Sequence, residues 1–193
     1  IMSVKHGLNE TYSTQEATNI IAKRAAIRVT PTITGVQYSN NDVLFDTTEI
    51  PSAVAYDGGA SKLLNITINS KSASLFDMIL WFFQVNQSAG TVNSAWSMSD
   101  SDFATAKNLG CIYVDGDNLQ QNPGGGRVYT IMQGYSGFTS ATKTYPQLPL
   151  VLQAESDSSS VYVAEKVQSE DDPGNTTPSF SVGDIELVFG IDY

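Results

Sequence analysis

The 193 residues, 41% of them hydrophobic, suffice for one domain with a real core, or at most one and a half, so the staples that small domains need are unnecessary. Cys111 is the only cysteine, which excludes a disulfide framework and a thiolate metal cluster. Twenty acidic against ten basic residues give a net charge of −10 and argue against nucleic acid as a partner, because that affinity rests on neutralised phosphates.

The charge is unevenly spread. Lys5, Lys23, Arg24 and Arg28 against Glu10 and Glu16 make the first thirty residues +2, which leaves −12 on the remainder. A basic arm on an acidic body suggests docking onto an acidic neighbour, another copy of the chain included. Residues 1–30 lack the apolar segment of a signal peptide, and no apolar stretch approaches the roughly 18 residues of a membrane-spanning helix. A protein folded inside a cell, with no membrane partner, is therefore expected.

Residues 1–24 are polar without a sustained period and read as an extended arm with a helical turn around Gln15 to Lys23. The β pattern begins with "AAIRVTPTITGVQYS", where Ile27, Val29, Ile33 and Val36 alternate and Pro31 confines the segment to a sheet edge or bulge. Asn40-Asn41-Asp42 and Asp57-Gly58-Gly59 are turns. "KLLNITINSKS" sets Leu64, Ile66 and Ile68 against Asn65, Thr67 and Asn69, the signature of a strand with one apolar face. "LFDMILWFFQVN" is expected to pair with it as a hairpin. Met78 to Phe83 are apolar without alternation, which predicts a central strand covered on both faces, by a loop or by a neighbouring subunit. Burial of Trp81, Phe82 and Phe83 contributes about 2 to 3 kcal/mol each.

"SMSDSDFATAKNLG" carries the signals of a helix: Ser99 or Asp100 as cap, Asp102 in the first turn, Phe103, Ala106 and Leu109 on one face, and Gly110 as the stop. Strands follow at "CIYVDGDN", at Val128 to Met132, on either side of the turn "ESDSSS", and at "DIELVFGIDY". "LQQNPGGGR" is a loop, and Tyr135 to Phe138 lie in an aromatic-bearing one. About eight short strands, one short helix and no βαβ rhythm predict an all-β antiparallel sandwich of the jelly-roll or Greek-key kind. The arm occupies residues 1–27 and a single sandwich domain residues 28–193.

Catalytic chemistry finds little footing. His6, the only histidine, lies in the arm, so triads and imidazole-held metals lack their central group. Cys111 opens a strand with no readable base beside it. Asp115 and Asp117 with Asn118 lack the spaced third ligand and closing glutamate of an EF-hand, while Asp100 with Asp102 and Glu170 to Asp172 suit caps and turns. "DGGAS" and "PGGGR" do not lead a strand into a helix and are not phosphate loops. No enzyme activity, cofactor or metal is expected. Trp96, Tyr135 and Phe138 are candidates for contact from loops, either stacking on a glycan or closing the ends of the core. Asn9, Asn65, Asn86 and Asn175 stand in glycosylation sequons, which carry no weight without an export signal.

"VTPTITGVQYSNNDVLFDTTEI", "GGASKLLNITINSKSASLFDMILWFF", "SDSDFATAKNLGCIYV" and the close "DIELVFGIDY" together resemble a group of small structural proteins of tailed bacteriophages over residues 28–193. The resemblance implies a virion component assembled in the bacterial cytoplasm, foremost a capsid decoration or cement protein and otherwise a neck or tail protein, with no catalytic residues to carry over. Its partners would be the major capsid protein and further copies of itself, a trimer being expected. On that reading Lys23, Arg24 and Arg28 meet acidic capsid surface, and Ile20, Ile21 and Ile27 add apolar contact. A glycan-binding sandwich is the alternative.

Overall fold

The computed structural model describes residues 3–6, 10–13, 24–116, 120–132, 148–168 and 177–193. Within the arm, β1 (Ser3–His6) and β2 (Glu10–Ser13) pair with each other antiparallel. The helical turn expected at Gln15 to Lys23 lies outside the described residues.

The sandwich is built from β3 (Arg24–Val29), β4 (Val43–Ile50), β5 (Ala60–Ser70), β6 (Asp77–Phe83), β7 (Asn108–Val114), β8 (Gln120–Gln121), β9 (Arg127–Met132), β10 (Leu150–Gln153), β11 (Val161–Gln168) and β12 (Ile185–Asp192). One sheet runs β3-β12-β5-β9-β8 with β10 also on β5, and the other runs β4-β11-β6-β7. All these pairs are antiparallel. The pairs β6–β7, β5–β9, β4–β11 and β3–β12 nest inside one another along the chain, as if one long hairpin had been rolled up. That nesting over two sheets is the jelly roll. The long β5 carries β12 along one side and β9 and β10 end to end along the other.

The expected hairpin of "KLLNITINSKS" with "LFDMILWFF" does not form, since β5 and β6 lie in different sheets. Both strands have an apolar face, and setting those faces against each other across the sandwich buries them on the same core. Residues 71–76 make the crossing, with Phe76 tucked inside. The strands around "ESDSSS" divide the same way, β10 to one sheet and β11 to the other. The domain also starts earlier than residue 28: β3 opens at Arg24, so Arg24 to Ile27 are sandwich residues.

Leu63, Ile66, Ile68, Leu187 and Phe189 of the larger sheet meet Phe45, Met78, Leu80, Phe82 and Val163 of the smaller one. Phe82 contacts Phe189 across the gap edge to face, with ring centres 6.1 Å apart. Tyr38, Phe180, Phe76 and Tyr129 form an edge-to-face chain at one end of the core. The Tyr38 hydroxyl accepts a hydrogen bond from the Thr34 amide at 2.8 Å, which settles its polar tip.

β6 is central in its sheet and covered on both faces, on the inner one by the larger sheet and on the outer one by a loop and a helix of the same chain. Between β6 and β7 the chain runs out over the sheet and returns as α1 (Asp100–Ala106). Phe103, Ala106, Trp96, Met98 and Ala89 from this excursion lie on Trp81, Phe83, Tyr162 and Ala164. Ser99 caps α1 in a full capping box with Asp102. Hydrogen bonds from the Ser99 hydroxyl and amide hold the Asp102 carboxyl below its ordinary range. The helix ends at Lys107, left-handed at φ 51°, rather than at Gly110, because β7 has already begun at Asn108. Gly110 has φ +137° and sits in that strand, where a Cβ would come within 2.9 Å of Leu150.

The excursion is fastened at Asp46 of β4, whose carboxylate accepts from the Ala89 amide (2.6 Å) and the Ser88 hydroxyl (2.7 Å). The Val43 amide donates to the Ser94 carbonyl (2.9 Å) and the Trp96 amide to the Asn41 carbonyl (2.8 Å), which covers the start of the free edge of β4. Phe82→Ala, which opens a cavity between the sheets, is expected to cost about 3–5 kcal/mol in chemical denaturation. Ser99→Ala, which removes only the cap, is expected to cost about 1 kcal/mol.

Candidate interaction surface

Antiparallel pairing places Arg24, Ala26 and Arg28 of β3 on the outer side of the larger sheet, because Ala25, Ile27 and Val29 stand opposite the core residues Ile191, Phe189 and Leu187. Arg24, directly across from Asp192, bonds it at 3.2 Å. Asp192 is also directly across from Lys62 on β5, so Lys62, Asp192 and Arg24 form a rung of two cations about one acid. A second rung joins Asn69, Glu186 and Arg28. The Glu186 carboxylate accepts from Asn69 at 2.8 Å and from Arg28 at 3.0 Å. The bond from Asn69 and the nearby Arg28 and Lys71 hold that carboxyl below its ordinary range. Six residue steps along β12, from Glu186 to Asp192, separate the rungs, about 20 Å at the strand rise.

Between the rungs the face is low: Ala26, Gly190 and Asn65 occupy one row, and a Cβ on Gly190 would overlap the Asn65 side chain at 2.4 Å. Met132 and Val151 are exposed beside it. Two shallow depressions flank the face. One of about 210 Å³ is lined by Lys62, Val151, Asp192 and Tyr193, and one of about 290 Å³ by Thr30, Asn69, Lys71 and Glu186. Arg24 and Arg28 keep 74% and 65% of their side-chain surface exposed, so each ion pair contributes at most about 1 kcal/mol to stability and both guanidinium groups stay open to a partner.

The outer face with its flanking depressions holds Arg24, Arg28, Lys62 and Lys71 against Asp184, Glu186 and Asp192. The remaining charged residues with described side chains are three cations, Lys107, Arg127 and Lys166, against eleven acids. Among the described residues the excess of acids thus lies away from this face.

Of the residues marked by the sequence, the structure brings Arg24 and Arg28 together on this surface. Ile27 is different: it packs half-buried against the core and is not a free contact. Ile20, Ile21, Lys23, Tyr135 and Phe138 lie outside the described residues. Trp96 is half-buried, its ring stacked on Phe103 at 6.3 Å and tilted against Trp81 at 6.2 Å, so it covers the smaller sheet. Lys62, Asn69, Lys71 and Asp192 were missed by sequence reading. Their signal was the polar half of the alternating β5 and β12 patterns, which identifies an outer face but not its neighbours.

Cys111 is half-buried opposite Trp81, and burial pushes its thiol up, away from a thiolate. Asp77 is spent on the scaffold, accepting from the Gly116 amide (2.7 Å) and the Tyr113 hydroxyl. Among the described residues no group of three or more acids, histidines or cysteines could hold a metal, and no helix is long and apolar enough to cross a membrane. No protein-family model matches the chain, nor does any curated protein or solved structure.

Because Trp96 and Phe103 stack, their truncations are expected to be non-additive. A double-mutant cycle on Trp96→Ala and Phe103→Ala, read by denaturation, is expected to show a coupling of about 0.5–1.5 kcal/mol.

Proposed function

We propose that this protein is a non-enzymatic structural component of a tailed-phage virion, a capsid decoration or cement protein that binds the head surface and its own copies. The observation that carries the docking part of this reading is the charge segregation: a flat face with two cation-bearing rungs on an otherwise acidic molecule suits an acidic protein surface. Register aligns Lys62, Asp192 and Arg24, and a side-chain bond joins Arg28 to Glu186, so the acids hold both arginines on the face before docking. The jelly roll is a fold of viral shell proteins, which supports the reading by analogy, and of lectins, which keeps the glycan-binding alternative as an outcome to test. Trp96, the described member of that alternative's aromatic set, is occupied by Phe103 and Trp81, which weighs against it.

A mass-spectrometric copy count in purified particles tests the placement. Hundreds of copies are expected for a shell-wide decoration protein, a dozen or so would move it to the neck or tail, and none would overturn the virion reading. Docking is tested separately. Arg24→Glu with Arg28→Glu is expected to weaken particle binding at least tenfold at low salt while leaving the melting temperature within a few degrees, because both pairs are exposed. A chain truncated before Arg24 keeps β3 and the face, so unchanged binding by it would assign docking to the face rather than to the arm.

A further inference from the structure

Among the described residues, Glu165 is the one acid in the centre of the sandwich. It is 0% exposed, and neither carboxyl oxygen has a hydrogen-bond partner. Its place on β11 is fixed by register: it stands opposite Leu80 of β6 and opposite Phe45 of β4, both core residues, with Val163 and Val167 on either side of it on the same face. Across the core, the buried residues of β5 and β12 include no titratable group. The buried titratable residue of β9 is Tyr129, whose hydroxyl donates to the Ser74 carbonyl at 3.4 Å. The nearest cation in sequence, Lys166, points to the opposite face with Ile79 and donates to the Asn41 side chain at 2.9 Å. Burial, with no hydrogen bond to offset it, raises the Glu165 carboxyl well above the ordinary carboxylate range.

The two strands beside Glu165 differ in how firmly they hold. The ladder to β6 is continuous from Tyr162 to Gln168. The ladder to β4 shifts register on both sides of Glu165, between Val163 and Glu165 and again between Glu165 and Lys166. β4 is also the terminal strand of its sheet, kept in place on its far side by the Asp46 bonds and the short contacts of residues 93–96.

We propose that Glu165 makes the junction of β4 with β11 a pH-sensitive joint, closed while the carboxyl is protonated and opened at the β4 side when it ionises. Ionisation requires water at the carboxylate, and the interrupted ladder is the shortest way to admit it. The raised carboxyl binds its proton more tightly folded than unfolded, so its contribution to stability is complete below the ordinary carboxylate pKa of about 4.3 and declines as pH rises toward the raised folded value. Opening β4 would also free the segment that Asp46 fastens, exposing Trp81 and Phe83 for contact with another chain.

The test is amide hydrogen exchange across pH 5 to 9, expressed as protection factors so that intrinsic base catalysis cancels, on the intact protein and on Glu165→Gln and Glu165→Met. In the unaltered protein, protection of residues 43–50 is expected to fall at least tenfold over this range while residues 77–83 and 108–114 keep theirs. Both variants are expected to hold β4 protection constant, Met by removing the polar group and Gln by removing the charge. Constant β4 protection in the unaltered protein overturns the proposal, as does an equal fall in both variants. A parallel fall in β6 and β7 overturns it too, since the whole sandwich would then be opening. The comparison of β4 with β6 and β7 stands even if one variant does not fold.

Discussion

The structure depends on covering β6 from both sides. Met78, Leu80 and Phe82 point into the sandwich while Trp81 and Phe83 point out of it, so no single opposing sheet can bury the strand. The inner side is met by the larger sheet, through Phe82 and Phe189 among others. The outer side is met by the excursion that carries α1, and this explains why the innermost hairpin of the roll, β6–β7, has the long connection of residues 84–107 instead of a tight turn. A seven-residue helix is too short to hold itself in water, so α1 exists through its capping box and through Phe103 and Ala106 on the sheet.

The same excursion settles a second problem. A sandwich of two open sheets leaves edge strands, and an uncovered edge invites pairing with other chains. Residues 93–96 hydrogen-bond along the start of β4, and Asp46 anchors the loop that brings them there. β8 shortens another edge to two residues. β3 and β7 end their sheets as well, and β3 is the strand whose outward residues are Arg24 and Arg28. Charge on an edge discourages indiscriminate strand addition.

Glu165 stands against this pattern. Other acids and hydroxyls of the interior are satisfied, Asp77 by Gly116 and Tyr113, Tyr38 by Thr34 and Ser61 by the Ala53 carbonyl, while Trp81 Nε1, Asn93 Oδ1 and Arg127 Nε are single buried atoms without a partner. An unpartnered carboxyl among Phe45, Leu80, Val163 and Val167 lowers stability relative to a hydrocarbon of the same size. Such a cost concentrated at the irregular ladder of an edge strand is where function, rather than folding, explains the residue.

Much of this was legible in the sequence. The alternation of "KLLNITINS" and "DIELVFGID" marks strands and most of their inward residues, because side chains in a strand change face at every step, but a register shift beside Gly190 turns Leu63 rather than the expected Leu64 into the core. The run Met78 to Phe83 announces a doubly covered strand, and Ser99 with Asp102 announces α1, since capping is a matter of residues three apart. The sandwich class follows from these local patterns. Pairing does not: β5 and β6 read as a hairpin but meet across the core, and β10 and β11 part to different sheets. A turn sequence constrains the direction of the chain over a few residues, whereas the choice of neighbour is made by which apolar faces bury best together. The surface shows the same division. Arg24 and Arg28 were marked as cations, but their assembly with Lys62, Asn69, Glu186 and Asp192 depends on β3 and β5 lying on either side of β12, which is more than a hundred positions from both. The sequence by itself determined the strands, the helix and most of their inward residues, because those obey short-range periodicity. Tertiary structure alone decided the jelly-roll pairing, the charged rungs and the isolation of Glu165, because each depends on which distant segments the shared core brings into contact.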